Sequence, residues 1–195
     1  MIKTEDYGIF EHNVSTLKDT SKDNHDGTDY YMTESSLAVV NFDHVKDEYI
    51  RDLSLCENPR SNDALFIHPD GKMVFIEFKN GFMDRGKCFD VRGKIFDSML
   101  IVTDIINKGI SYTRENIDYI LVYNQESNFE NTINCPSKHV QESKSRDEIG
   151  KRLMALGGGD QIKFGLERFK KYCFKNVFTY TEKEFQEHFV SSYTI

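Results

Sequence analysis

The sequence predicts a single α/β domain built on a central mixed sheet, and three observations predict it. Short runs of β-branched and aromatic residues alternate with segments whose apolar residues recur at helical spacing. Two of those runs, ALFIH (64–68) and KMVFIEFK (72–79), are apolar on both faces, as in a buried central hairpin. The chain has 195 residues, enough for one substantial core and few for two.

Composition removes several classes. A hydrophobic fraction of 38% with 15 Phe and 10 Tyr suits a packed domain, not a disordered one. The longest apolar runs fall far below the ~18–20 residues of a membrane span. The opening MIKTEDYGIFEHN has no apolar signal core, so the cytoplasm is the expected address and no membrane partner is expected. Cys56, Cys88, Cys135 and Cys173 lie far apart without a CxxC pair and read as reduced thiols. A net charge of −7 argues against coating nucleic acid by overall attraction. The charge is uneven, however: residues 1–63 carry 14 acidic and 6 basic side chains, whereas 79–94 carry 5 basic and 2 acidic, and 138–175 carry 10 and 5. Were the last two segments to meet, a basic face would exist on an acidic protein.

The elements follow in order. Residues 1–32, rich in Asp, Asn, Lys, Ser and Thr, read as an irregular lead-in. Val45, Tyr49, Ile50 and Leu53 fit one helix face over 43–53, with Asp43 as N-cap. CENPRSN (56–62) is loop. Pro69-Asp70-Gly71 then joins the two strand runs as a three-residue turn, with Pro presetting φ and Gly accepting the left-handed position. Ile95, Met99, Val102 and Ile106 predict a helix over 92–107, and IDYILVY (117–123) another buried strand. A polar loop at 124–144 precedes a capping box, Ser145 to Glu148, that opens a helix to about 156, stopped by Gly157-Gly158-Gly159. Asp160 caps a further helix to about 172, a strand follows near 174–180, and a second capping box, Thr181 to Glu184, opens the last helix. The domain thus divides into a core at about 43–123, the lead-in and a helical extension over 145–195.

The chemistry lies in the hairpin. A turn centred on Asp70 opposes Phe66 to Val74 and Asp63 to Glu77, and directly opposed Cβ atoms sit about 4.5–5.5 Å apart. Alternation puts Asp63, Leu65 and Ile67 on one face with Met73, Phe75, Glu77 and Lys79, and puts Ala64, Phe66, Val74, Ile76 and Phe78 on the other. Two carboxylates and a lysine therefore meet at one end of a buried hairpin, where charge is costly unless paired or bound to metal. Two hard oxygen ligands suit Mg²⁺, and the lysine can hold the attacking water and offset charge on a phosphate. On this placement alone the carboxylates repel, so replacing either is expected to leave the fold as stable or more so.

Asp63, then 13 residues, then Glu77-Phe78-Lys79 at the end of a buried strand resembles the PD-(D/E)XK nuclease superfamily. The resemblance implies a restriction endonuclease-like αβββαβ core with extra C-terminal helices. SLAVVNF (36–42) is the candidate for the meander strand not otherwise visible. It implies a divalent-metal-dependent nuclease that takes Mg²⁺ or Mn²⁺, acts on nucleic acid, expected to be DNA, and can work as a homodimer. Asp63, Glu77 and the Phe78 backbone carbonyl would ligate the metal, Lys79 would be catalytic, Glu48 matches by position an acid from the first helix, and Lys94 or Arg92 would face the scissile phosphate. Asn62 stands where the family's literal proline would be. The competing expectation is a catalytically inactive nuclease fold that serves as a binding or protein-interaction module.

Other letters imitate motifs. Asp70-Gly71-Lys72 is turn chemistry, Glu142-Ser143-Lys144 lies in a polar loop, and GGGD (157–160) lacks the Lys-Ser/Thr of a phosphate loop. The six histidines show no metal spacing. Arg168, Lys170 and Lys171 read as a solvated helix face.

Overall fold

A computed structural model describes residues 2–24, 27–128 and 161–193. The fold is mixed α/β. Its strands are β1 (Val14–Thr16), β2 (Lys22–Asp23), β3 (Tyr30–Tyr31), β4 (Ala38–Asn41), β5 (Ala64–Ile67), β6 (Met73–Lys79), β7 (Ile117–Tyr123) and β8 (Val177–Thr181). Its helices are α1 (Gly8–Glu11), α2 (Leu17–Thr20), α3 (Phe42–Tyr49), α4 (Arg85–Ile105), α5 (Ile110–Asn116) and α6 (Glu182–His188). Six strands form one sheet in the order β1-β4-β5-β6-β7-β8, and β2 and β3 form a separate ribbon. The first four of the six run antiparallel to their neighbours, and β7 and β8 lie parallel to β6.

The β5–β6 hairpin has the expected register, with Leu65 opposite Phe75 and Phe66 opposite Val74. The turn sets it: the Gly71 N–H donates to the His68 carbonyl at 2.8 Å, and Gly71 has φ +85°, a conformation that costs a Cβ-bearing residue energy. Each hairpin face is covered. Leu65, Met73 and Phe75 belong to a core under α3 and α4, while Ala64, Phe66, Val74, Ile76 and Phe78 pack with Leu17 and with Phe185 of α6. The crossover from β6 to the parallel β7 requires a helical connection, and α4 and α5 supply it. Cys88, Val91, Ile95, Met99 and Val102 recur at three- and four-residue intervals and lie buried along α4.

Several expectations are corrected. Residues 1–32 are no irregular lead-in: β1 pairs with β4, and Phe10 and Leu17 are fully buried. These elements are only two to four residues long and are held by distant partners, so their local periodicity is faint. The 36–42 strand exists as Ala38–Asn41 and pairs with β5, but α3 lies between the two strands instead of preceding the meander. Its N-cap is Asn41, whose side chain accepts from the His44 N–H, not Asp43; Leu53 lies beyond the helix and is exposed. The helix expected at 92–107 starts at Arg85 because Asp84 accepts the Lys87 N–H.

The 160–172 helix does not form over the described residues 161–172. Phe164, Gly165 and Lys171 have positive φ, and only a short 3₁₀ turn spans Glu167–Phe169. Phe164, Leu166, Phe169 and Cys173 are buried there nonetheless, carried inward by these turns and not by a helix face. The final strand and the Thr181–Glu184 capping box are present, with the strand added to the sheet as β8. The helical C-terminal extension thus reduces, among the described residues after 160, to α6 and short 3₁₀ turns. The expected 145–156 helix, the Gly157–Gly159 stop, Cys135 and Glu142-Ser143-Lys144 lie outside the described residues. Cys56 and Cys173 are free thiols. No helix among the described residues is long and apolar enough to cross a membrane.

Candidate active site

Asp63 immediately precedes β5, and Glu77 and Lys79 lie near the end of β6, so the hairpin register brings them to the end of the sheet that also carries the ends of β6 and β7. In sheets with parallel strands, the crevice beyond the strand carboxyl ends is where ligands bind. Glu77 is entirely shielded from solvent. The Asp63 side chain accepts the Phe78 N–H through Oδ2 at 2.6 Å, which fixes its other oxygen toward the site. By strand alternation the Phe78 carbonyl faces the same side as that N–H.

A fourth side chain completes the group. Lys94 of α4 places Nζ 2.7 Å from Glu77 Oε1 and 3.1 Å from Asp63 Oδ1. Lys79 Nζ is 2.7 Å from the same Glu77 oxygen. Both ammonium groups thus meet Oε1, whereas Glu77 Oε2 is buried with no hydrogen-bond partner among the described residues. The net repulsion expected between the carboxylates is corrected here, because Lys94 joins Lys79 against them. Burial, and then the Asp63 charge, raise the Glu77 carboxyl above its ordinary value, with the two lysines opposing. Burial works against the Lys94 ammonium, but Glu77, Asp63 and Asp43 together outweigh it and raise Lys94. The Tyr119 hydroxyl, buried and without a hydrogen-bond partner among the described residues, is pushed well up by burial and then by the charges of Glu77 and Asp63.

α4 braces this arrangement along one side. The Ser98 hydroxyl accepts the Asn62 N–H at 2.8 Å, and the Asp97 carboxylate accepts the Arg60 N–H at 2.8 Å. Residues 94, 97 and 98 lie within a turn of each other, so one helix face grips the segment leading into Asp63. A Cβ at Gly93 would stand 2.5 Å from Arg60 Nη1, the far end of a side chain that can move aside.

A cleft of about 460 Å³ opens onto the site. One wall carries Asp43, Asp63, Lys79, Asn80, Lys87 and Asp90, and the other carries Asp19 to Asp23 and Met32 of the N-terminal segment. Asn80 ties the walls, donating to Asp23 at 2.9 Å while its carbonyl accepts from Asn124 at 2.9 Å. The lining has five aspartates and three lysines.

The structure redistributes the remaining site candidates. Glu48 accepts from Asn13 at 2.9 Å and lies 3.8 Å from His12 Nδ1; it does not line the cleft. Asp43, expected only as a cap, lines the cleft instead and accepts from Ser61 at 2.5 Å. The signal for it was the β4–β5 pairing: Asn41 opposite Ala64, with the Phe42 N–H on the Asp63 carbonyl, carries the start of α3 to Asp63. Arg92 does not face the cleft; its guanidinium donates to the Phe164 carbonyl at 3.4 Å. Lys94 turns inward to the carboxylates, so two of the five cations of 79–94, Lys79 and Lys94, are taken up by internal pairing.

Among the described residues no cluster of three or more His, Cys, Asp or Glu could hold a metal, so an ion here would rest on Asp63 and Glu77 with the Phe78 carbonyl nearby. Mg²⁺ usually takes only one or two carboxylates. The orphaned Glu77 Oε2 is a buried acceptor of the kind such an ion would satisfy. No family model, curated protein or solved structure matches this chain.

Proposed function

We propose that this chain hydrolyses phosphodiester bonds in DNA, with Mg²⁺ or Mn²⁺ held by Asp63, Glu77 and the Phe78 carbonyl, on a variant of the PD-(D/E)XK core. The observation that carries this is Glu77: a solvent-free carboxylate with one unpartnered oxygen, beside Asp63 and Lys79, which line the cleft. Further support comes from the order of elements, since antiparallel β4, β5 and β6 are followed by α4 and parallel β7. The insertion of α3 between β4 and β5 is the departure from that pattern.

The cleft carries net negative charge. Five aspartates against three lysines repel a phosphodiester, and a bound divalent ion changes the local charge enough to admit it. When bound, such an ion supplies Lewis-acid polarisation of a phosphoryl oxygen and eases ionisation of water. The chain supplies the rest: Asp63 is oriented by the Phe78 N–H, and the Lys79 ammonium stands where it can hold the attacking water and offset charge on the phosphate. The second reading, a nuclease-like fold that binds without cutting, draws support from the two lysines that already compensate the carboxylates.

Purified protein incubated with Mn²⁺ and single-stranded, double-stranded and branched DNA, and with RNA, separates the two. Cleavage of DNA that EDTA abolishes is expected. If every substrate stays intact, the binding reading prevails.

A further inference from the structure

Two lysines touch the carboxylates, but they are not equivalent. Lys79 reaches only Glu77, whereas Lys94 lies against both Glu77 Oε1 and Asp63 Oδ1. We propose that Lys94 is the resident cation of the carboxylate pair: its ammonium holds the position between Asp63 and Glu77 that a divalent ion takes, and the ion enters only as Lys94 swings out into the cleft. This rests on the metal-dependent reading above.

The physical case has three parts. Glu77 has no access to water, so the pair needs a compensating cation whenever metal is lacking, and Lys94 is the one side chain among the described residues that bridges it. An ammonium and a divalent ion cannot both use the same two oxygens. The ion sits about 2.1 Å from each ligand oxygen, inside the space the ammonium occupies, and the two cations repel. Finally, Lys94 has somewhere to go. Its side chain remains 17% exposed on a flexible four-carbon stem. Asp90 and Lys87, one and two turns earlier on α4, line the cleft, so the helix face on which Lys94 sits leads to open space. The displaced ammonium then points where the substrate phosphate would lie, the phosphate-facing role expected of Lys94.

Two measurements test this. Mn²⁺ titrated calorimetrically into the wild type and into Lys94→Met should bind the variant about tenfold tighter or more, within the usual range of site–site coupling. In the wild type, reductive methylation followed by mass spectrometry should find Lys94 slow to react without metal. It should react several-fold faster with saturating Mn²⁺, while the exposed Lys183 is unchanged; Lys183 is 82% exposed and serves as the internal standard. Equal or weaker Mn²⁺ binding by a folded Lys94→Met overturns the proposal. So does Lys94 that stays protected in Mn²⁺-bound wild type, a result that needs no variant. If the wild type binds Mn²⁺ and Lys94 stays protected, this inference alone falls. If neither protein binds Mn²⁺, the metal-dependent reading falls with it.

Discussion

Replacing Glu77 with Gln keeps the shape of a fully buried side chain and removes its charge. On strand placement alone this relieves repulsion with Asp63; the structure reverses the expected sign, because Lys79 and Lys94 both sit 2.7 Å from the charge being removed. Breaking a buried ion pair by deleting one partner costs about 3–5 kcal/mol. The lysines soften that figure. Their side chains are 18% and 17% exposed, so both heads can regain some water, and Lys94 keeps Asp63. A loss of about 1–3 kcal/mol remains, which for a domain of this size lowers Tm by roughly 3–10 °C. Thermal melts by circular dichroism in EDTA measure it without interference from metal. A double-mutant cycle with Lys94→Met should show a coupling of about 0.5–3 kcal/mol. DNA cleavage with Mn²⁺ should fall by roughly a hundredfold or more. A Tm equal to or above wild type, together with additive effects in the cycle, would mean that the lysines do not compensate Glu77, and the electrostatic account of the site would be wrong.

Three further outcomes are expected. Asp63→Ala should abolish cleavage whereas Asp70→Ala leaves it intact, since Asp70 sits at the turn, seven residues and roughly 20 Å along the strand from Glu77; loss of activity in Asp70→Ala alone would refute the site. Gly71→Val should cost about 1–2 kcal/mol in urea unfolding, because a β-branched residue resists a φ of +85°. Asp70→Asn should lower stability only above the ordinary Asp pKa. The Lys72 N–H, and then His68, hold the Asp70 carboxyl below its usual value of 3.8, so its contribution is present above that pH and lost as pH falls through the lower folded value. Melts at neutral pH and near pH 2 should therefore converge; an Asp70→Asn deficit that persists in acid would show that the contribution is not electrostatic.

The hairpin was legible in the sequence because everything that sets it is local. A three-residue turn with glycine at its left-handed position leaves one register, and that register brings residues fourteen positions apart, Asp63 and Glu77, opposite each other. Strand alternation then put Asp63 and Glu77 on one face without knowledge of any other element. β7 was equally plain, since a strand buried on both faces is a continuous apolar run. The signal for the start of α4 was also local, in the Asp84 cap, but apolar periodicity alone does not mark a first turn whose residues are mostly exposed.

What only the tertiary structure decided involves partners distant in sequence. β1 is three residues long and exists through its pairing with β4, and the 161–176 segment buries Phe164, Leu166 and Phe169 by positive-φ turns that no propensity foretells. Asp43 reached the cleft through a β4–β5 ladder rather than through helix spacing, and Glu48 was lost to Asn13 and His12. Lys94 is the sharpest case. Its position on the helix after the hairpin was readable, but its direction was not, because a long cationic side chain follows the strongest nearby field, and only packing α4 against the end of β6 created that field at Asp63 and Glu77.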